Sequence, residues 1–256
     1  MGSLTEIAPG VLVATSSYAL TSSTVVVGSC GGCLVIDPAV TVADLAALAA
    51  SITGLGLRAA VGWSTHPHWD HVLWSRELGD APRYAAPAAV SIAETERDGI
   101  IEGVVTSAPG HDLPLVGRLQ ALDAAVIPWD GPTARLIVHD GHAPGHGAVF
   151  LPDSGVLVAG DMCSDVEIPL LDTIAADPLS DYRTGMERLA SVAGIRQVVP
   201  GHGRVGDAGE FRRRLALDAA YLDAVASGKP ADDPRLPGCP DWMRGMHQDL
   251  VRHFSR

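Results

Sequence analysis

Thr65-His66-Pro67-His68-Trp69-Asp70-His71 gathers four side chains able to bind a metal within six residues, and this stretch decides how the chain is read. His66 and His68 are two apart, so on extended backbone they point the same way. Pro67 disfavours the α region at His66 and keeps the pair extended. The apolar run before it, residues 57–63, reads as a strand that ends here, and residues 72–78 read as a short helix. The histidines would then lie on a strand-to-helix loop, where α/β proteins place their chemistry. The plainer alternative is a chance cluster of surface histidines. Two further clusters downstream, Pro144-Gly145-His146 and Pro200-Gly201-His202, argue against it.

A chain of 256 residues, 47% hydrophobic, can bury a full core. The formal charge of −12 excludes the basic surface that phosphate binding requires, so no nucleic-acid partner is expected, and an anionic membrane surface is disfavoured. The start, Met1-Gly2-Ser3-Leu4-Thr5-Glu6, does not read as a secretory signal, and no apolar run is long enough for a bilayer span. Four cysteines do not make a disulfide scaffold in a chain of this size. Cys30-Gly-Gly-Cys33 is a lone C-x-x-C with no second pair to complete a zinc ribbon. A cytoplasmic, reducing setting is expected.

Outward from the loop, β-rich runs at 11–13, 24–27 and 34–37 are separated by Gly and Ser, with Gly31-Gly32 as a hairpin signal. Val42, Leu45, Leu48, Ala49 and Ile52 share one face of a helix over 42–53, stopped by Gly54 and Gly56. A strand is expected at 83–86, a helix over 87–102, and an irregular excursion over 103–133 that would serve as a lid. Trp129 within it would either wall a pocket or join the core. Strands resume at 135–139, followed by a hairpin of 149–151 with 156–159, a helix near 180–193, a strand at 197–199 and a long helix over 207–226. The division expected is a catalytic domain over 1–228 and a helical tail over 229–256 that packs on the domain or on a partner; oligomeric state stays open.

Three later candidates each follow a β-run in a Gly-containing turn: His146, Asp161 in Gly160-Asp161, and His202. With the first loop they make five His and two Asp at strand ends, about what two transition ions require. His111 repeats the Ala-Pro-Gly-His pattern of His146, but no clear strand precedes it, so it is read as a surface residue. His139 is read as a strand residue and His142 as a neighbour of the ligands.

This pattern resembles the metallo-β-lactamase superfamily, whose motifs are His-x-His-x-Asp-His followed by separated His, Asp and His, over roughly residues 10–205. The resemblance implies an α/β fold, a four-layer αβ/βα sandwich of two mixed sheets flanked by helices. It implies two Zn2+ ions, with Mn or Fe as substitutes. One would be held by His66, His68 and His146 and the other by Asp70, His71 and His202, bridged by Asp161 and a hydroxide. Asp70 would also orient the nucleophile, making it the catalytic carboxylate. Asp161 and His71 resemble the glyoxalase II and lactonase-like branch, whereas the best-known β-lactamases carry Cys at the Asp161 position. The function implied is hydrolysis of a small-molecule ester, thioester or lactone. The alternatives are a mononuclear iron enzyme resembling persulfide dioxygenases, and a β-lactam hydrolase.

Overall fold

The computed structural model describes residues 2–229 and 231–255. Seven strands form the first sheet in chain order: β1 (Thr5–Ala8), β2 (Val11–Thr15), β3 (Ser22–Val27), β4 (Gly32–Ile36), β5 (Arg58–Trp63), β6 (Arg83–Ala85) and β7 (Gln120–Ala121). Pairing is antiparallel from β1 to β4 and parallel from β4 to β7. The second sheet contains β8 (Arg135–His139), β9 (His146–Leu151), β10 (Val156–Gly160), β11 (Gln197–Pro200) and β12 (Gly206–Asp207). Its order is β12-β11-β10-β9-β8, with only β10 and β11 parallel.

Side-chain alternation along the strands sorts the apolar residues into layers. On β3 and β4, Val26, Leu34 and Ile36 face the second sheet and meet Val149, Leu151, Val156 and Val158. Their neighbours Val25, Cys33 and Val35 face the opposite way. There they are covered by α1 (Val42–Gly54), with α2 (Pro87–Thr95) and α3 (Arg97–Ser107) beside it. The outer face of the second sheet is covered by α4 (Pro178–Ala190), α5 (Ala208–Ala226) and α6 (Asp241–Phe254). This is the αβ/βα sandwich of two mixed sheets. Each fully buried Val, Leu or Ile contributes roughly 1.5–3 kcal/mol by area, and the three apolar layers are what hold the sheets together. α6 belongs to this packing, because Met243 and Leu250 are buried in the same cluster as Phe211 and Leu222 of α5.

The caps explain where helices begin. Thr41 accepts the N–H of Asp44 at the start of α1, and Asp207 accepts those of Gly209 and Glu210 at the start of α5. Asp177 caps α4, which opens on Pro178.

Three stretches differ from the sequence expectation. Residues 72–78 form no α-helix, only a 3-10 turn over Arg76–Leu78. Val72, Leu73 and Trp74 are all buried in succession, and one helix face cannot bury three consecutive side chains. The helix expected over 87–102 is two helices meeting at Glu96, and the second continues to Ser107. The rest of the excursion is tied down rather than loose. Arg97 donates to the Val116 and Leu113 carbonyls and Arg83 to that of Leu115. Ile127 enters the core between the sheets. Trp129 packs over Gly28, at the β3–β4 turn, the end of the sheet remote from the histidine loop, and so walls no site there.

Candidate metal centre

Two parallel strand pairs bring the chemistry to one edge. β4 and β5 run together, so Asp37 and the loop 64–71 emerge side by side. β10 and β11 run together, so Asp161 and His202 do the same. The β8–β9 turn and the β2–β3 turn close at the same edge because β9 and β3 run antiparallel to β10 and β4. Trp63 stitches the sheets just beneath, its indole N–H donating to the Gly147 carbonyl at 2.8 Å.

Donor atoms converge in two main sets that each fit within 4.8 Å, linked by a third group of Asp161, Glu167 and His202. One set is His66, His68, His142 and Asp161. His142 Nε2 lies 3.0 Å from His68 Nδ1 and 3.5 Å from Asp161 Oδ2, and His66 Nε2 lies 3.4 Å from the same oxygen. The other set is Asp70, His71 and His202. His202 Nε2 lies 3.3 Å from His71 Nε2, 3.2 Å from Asp70 Oδ2 and 3.4 Å from Asp161 Oδ2. Asp161 Oδ1 is 3.2 Å from His71 Nε2.

His146 is in neither set. It begins β9 opposite His139, fully buried, stacked between the rings of His139 and His66, and neither ring nitrogen has a hydrogen-bond partner. Its Nε2 would lie 2.4 Å from a Cβ on Gly160, so it packs under the Asp161 turn. Around this Ala-Pro-Gly-His pattern the geometry brings His142, four residues earlier in the β8–β9 turn, into the donor set and leaves His146 outside it. His111 stays outside, its Nε2 2.8 Å from the Val40 carbonyl.

Outer partners set the tautomers. The Thr65 hydroxyl donates to Asp37 Oδ2 at 2.7 Å, so His66 Nδ1, 2.9 Å from that hydroxyl oxygen, must be the donor between them. His142 Nδ1 faces the Leu170 carbonyl at 2.9 Å, His202 Nδ1 the Ala19 carbonyl at 3.0 Å, and His71 Nδ1 the Asp37 carboxylate at 3.0 Å. Each outer atom only accepts, so each Nδ1 carries a proton and each Nε2 points inward, with a lone pair wherever the ring is neutral. These nitrogens face one another and carboxylates in a buried volume, which calls for positive charge, a proton or a cation. Burial pushes His142 down to about 3 and, with the charge of His71, holds His66 well below its ordinary value. Burial alone would lower His71 and His202 as well, but Asp161 and Asp70 more than offset it and hold both well above. Burial alone would raise Asp70, yet His71 and His202 bring it down to about 2. Burial pushes Glu167, 3.8 Å from His202 Nδ1, up to about 7. Borderline N and O donors, fixed tautomers and inward lone pairs fit divalent transition ions. His68 alone among the imidazoles is exposed, which places the open side of the centre.

Sequence reasoning missed Asp37, Thr65 and Glu167, and gave His142 a lesser part. Asp37 carried a signal. It is a buried carboxylate with φ +48 directly after an apolar strand, where burial without a partner would be costly.

The sequence matches the metallo-beta-lactamase superfamily over residues 18–222, and the chain belongs to that family. It is 26% identical to the probable metallo-hydrolase YflN of Bacillus subtilis (strain 168) over 191 residues, 63% of this chain and 70% of that one. Its fold is similar to a beta-lactamase domain protein from Burkholderia ambifaria, with TM-score 0.71, 20% identity, and coverage of 98% of this chain and 86% of the other. TTHA1623, solved in a di-iron-bound form, is similar with TM-score 0.61 and 25% identity over 79% of this chain and 97% of that one.

Proposed function

We propose that the chain is a dinuclear metal-dependent hydrolase of small-molecule esters, thioesters or lactones, in the glyoxalase II and lactonase-like branch. The observation that carries this is the inward-pointing Nε2 of four imidazoles, each ring fixed by an acceptor behind its Nδ1, in two donor sets linked by Asp161, which lies in one and 3.2 and 3.4 Å from His71 and His202 of the other. His66, His68, His142 and Asp161 would hold one ion, and Asp70, His71, His202 and Asp161 the other. The ions, when bound, supply Lewis acidity that makes water a usable nucleophile near neutrality and polarises a carbonyl. Zinc is the ion proposed, and the di-iron form of TTHA1623 keeps iron in view for this donor chemistry.

The chain's own contributions are geometric and electrostatic. Asp70 stays ionised and accepts at the face of His202, where it orients the attacking water. Asp37 and Thr65 lock the rings of His66 and His71. Thiolates and alkoxides leave without the obligatory protonation an amide nitrogen demands, which favours thioesters and oxygen esters. Asp161 in place of Cys supports the branch. The charge of −12 supports a small-molecule substrate over nucleic acid or an anionic membrane. The four free cysteines support a reducing, cytoplasmic setting. Among the described residues, no helix is long and apolar enough to cross a membrane.

The test is a panel of thioesters, lactones, aryl esters and β-lactams assayed with zinc-loaded protein. Turnover of an ester-class substrate that His68→Ala abolishes is expected. Failure on the whole panel at full metal loading, or turnover surviving metal removal, would overturn the reading.

A further inference from the structure

The turn that presents Asp161 does not hold its own shape. Cys163 is buried with φ +60, a left-handed conformation that costs a non-glycine residue roughly 1 kcal/mol or more. Ser164 ties the turn to the second donor strand, its hydroxyl donating to the His202 carbonyl at 2.6 Å while accepting from Val166 and Glu167 N–H. Three carbonyls of this turn, those of Cys163, Ser164 and Glu167, are met from outside. Arg214 of α5 donates to the Cys163 carbonyl at 3.3 Å. Arg235, from the segment between α5 and α6, donates through Nη1 to the Ser164 carbonyl at 3.2 Å and the Glu167 carbonyl at 2.9 Å.

Arg235 is itself fixed. Its Nε and Nη2 fork onto Asp233 at 2.9 and 2.7 Å, and Nη1 reaches Asp218 at 2.6 Å. All three side chains are buried. A buried ion cluster of this kind is a poor source of stability compared with apolar packing, and the apolar cluster of α5 and α6 lies alongside. What a guanidinium offers that apolar side chains do not is directed donors for carbonyls that would otherwise be buried unpaired. Arg235 also lies beyond the stretch that matches the family, which ends at 222.

We propose that Arg235 is a positioning residue of the metal centre, holding the 163–167 backbone so that Asp161 and His202 stay aligned between the two donor sets. This rests on the metal-centre reading above. The C-terminal segment thereby becomes part of the site's frame, although none of its side chains is a donor.

The experiment compares Arg235→Met, Arg235→Lys and Leu250→Ala in the full chain. Leu250 is fully buried in α6 and its apolar side chain gives the turn no hydrogen bond, so its truncation weakens tail packing while leaving the turn's polar tethers in place. Three readouts are used: hydrogen exchange of the peptide spanning 161–168 in protein without added metal, Zn2+ affinity by chelator competition, and kcat against KM. In Arg235→Met, exchange at 161–168 should quicken, zinc affinity should fall about 10–100-fold, and kcat should fall with KM little changed. Arg235→Lys should recover part of each, because lysine keeps a donor but cannot fork onto Asp233. Leu250→Ala, at a comparable loss of melting temperature, should match wild type in all three. Wild-type exchange and zinc affinity in Arg235→Met would overturn the proposal, as would the same losses in Leu250→Ala. Should Arg235→Met fail to fold, Arg235→Lys decides by the same criteria. A wild-type protein that takes up no zinc would sink the hydrolase reading, while the exchange comparison would still judge Arg235.

Discussion

Residue by residue, the centre depends on atoms that are not donors. A Cβ on Gly201 would sit 1.9 Å from Asp161 Oδ1, so this position admits no side chain while the carboxylate keeps its place. The severe clash is with one side chain, while Gly160 C and His71 Cε1 would each stand at 3.0 Å, so Gly201→Ala should fold with reduced stability and lose cation affinity and most turnover. Zinc titration of the purified variant checks this, and wild-type affinity would contradict it. His142 and His146 make the complementary case. His146→Ala removes a buried ring and should cost about 2–4 kcal/mol in denaturant unfolding, yet leave cation stoichiometry intact. Of the two Pro-Gly-His histidines, His202 lies in a donor set and His146 lies outside both, for a physical reason. His146 already belongs to β9, paired with His139, and the strand's alternation turns it beneath the Asp161 turn. The turn leaving β8 is free to aim His142 at Asp161, a distinction set by register, which spacing alone does not carry.

At the level of elements, β8 and α4 meet over His139. Its ring abuts Gly185, where a Cβ would be 2.9 Å from Nδ1, and the Arg188 guanidinium bonds the Val138 carbonyl. Burial, with the charge of Arg188, brings His139 down to about 4. Below about pH 6.5 the unfolded chain binds a proton there that the folded chain refuses until about pH 4. The contribution of this ring to stability is thus full above pH 6.5 and is lost as pH falls through that window, up to about 3 kcal/mol. Urea midpoints from pH 7 to 4.5 should fall more steeply for wild type than for His139→Phe; parallel slopes would contradict the account. Elements with a continuous apolar run or a clear apolar face, such as β4, β8, α1 and α5, were legible in the sequence to within a residue or two. The break at Glu96 was not, because nothing in its local propensity marks a helix end. Nor was the 3-10 turn after Trp74, where tertiary burial of three neighbouring apolar residues overrides the helical pattern.

For the molecule as a whole, the first histidine loop, Asp161 and His202 sit on the ends of strands from both sheets, so the apolar layer between the sheets sets the distance between them. Order at the centre and stability of the sandwich are then coupled. Stripping cations with a chelator should lower the melting temperature, and adding Zn2+ should restore it by mass action. An unchanged melting temperature at saturating zinc would uncouple the two. The fold was readable through the family whose strand-end motifs the chain shares, and the same motifs single out the residues that converge at the edge, His142 apart. Substrate choice was not readable, because it resides in side chains on loops whose paths no periodicity dictates. The most direct test of the central claim is equilibrium zinc content per chain in wild type and in His142→Ala. About two ions in wild type and about one in His142→Ala are expected. No tightly bound ion in wild type, or the same content in both proteins, would contradict the paired centre sharing Asp161.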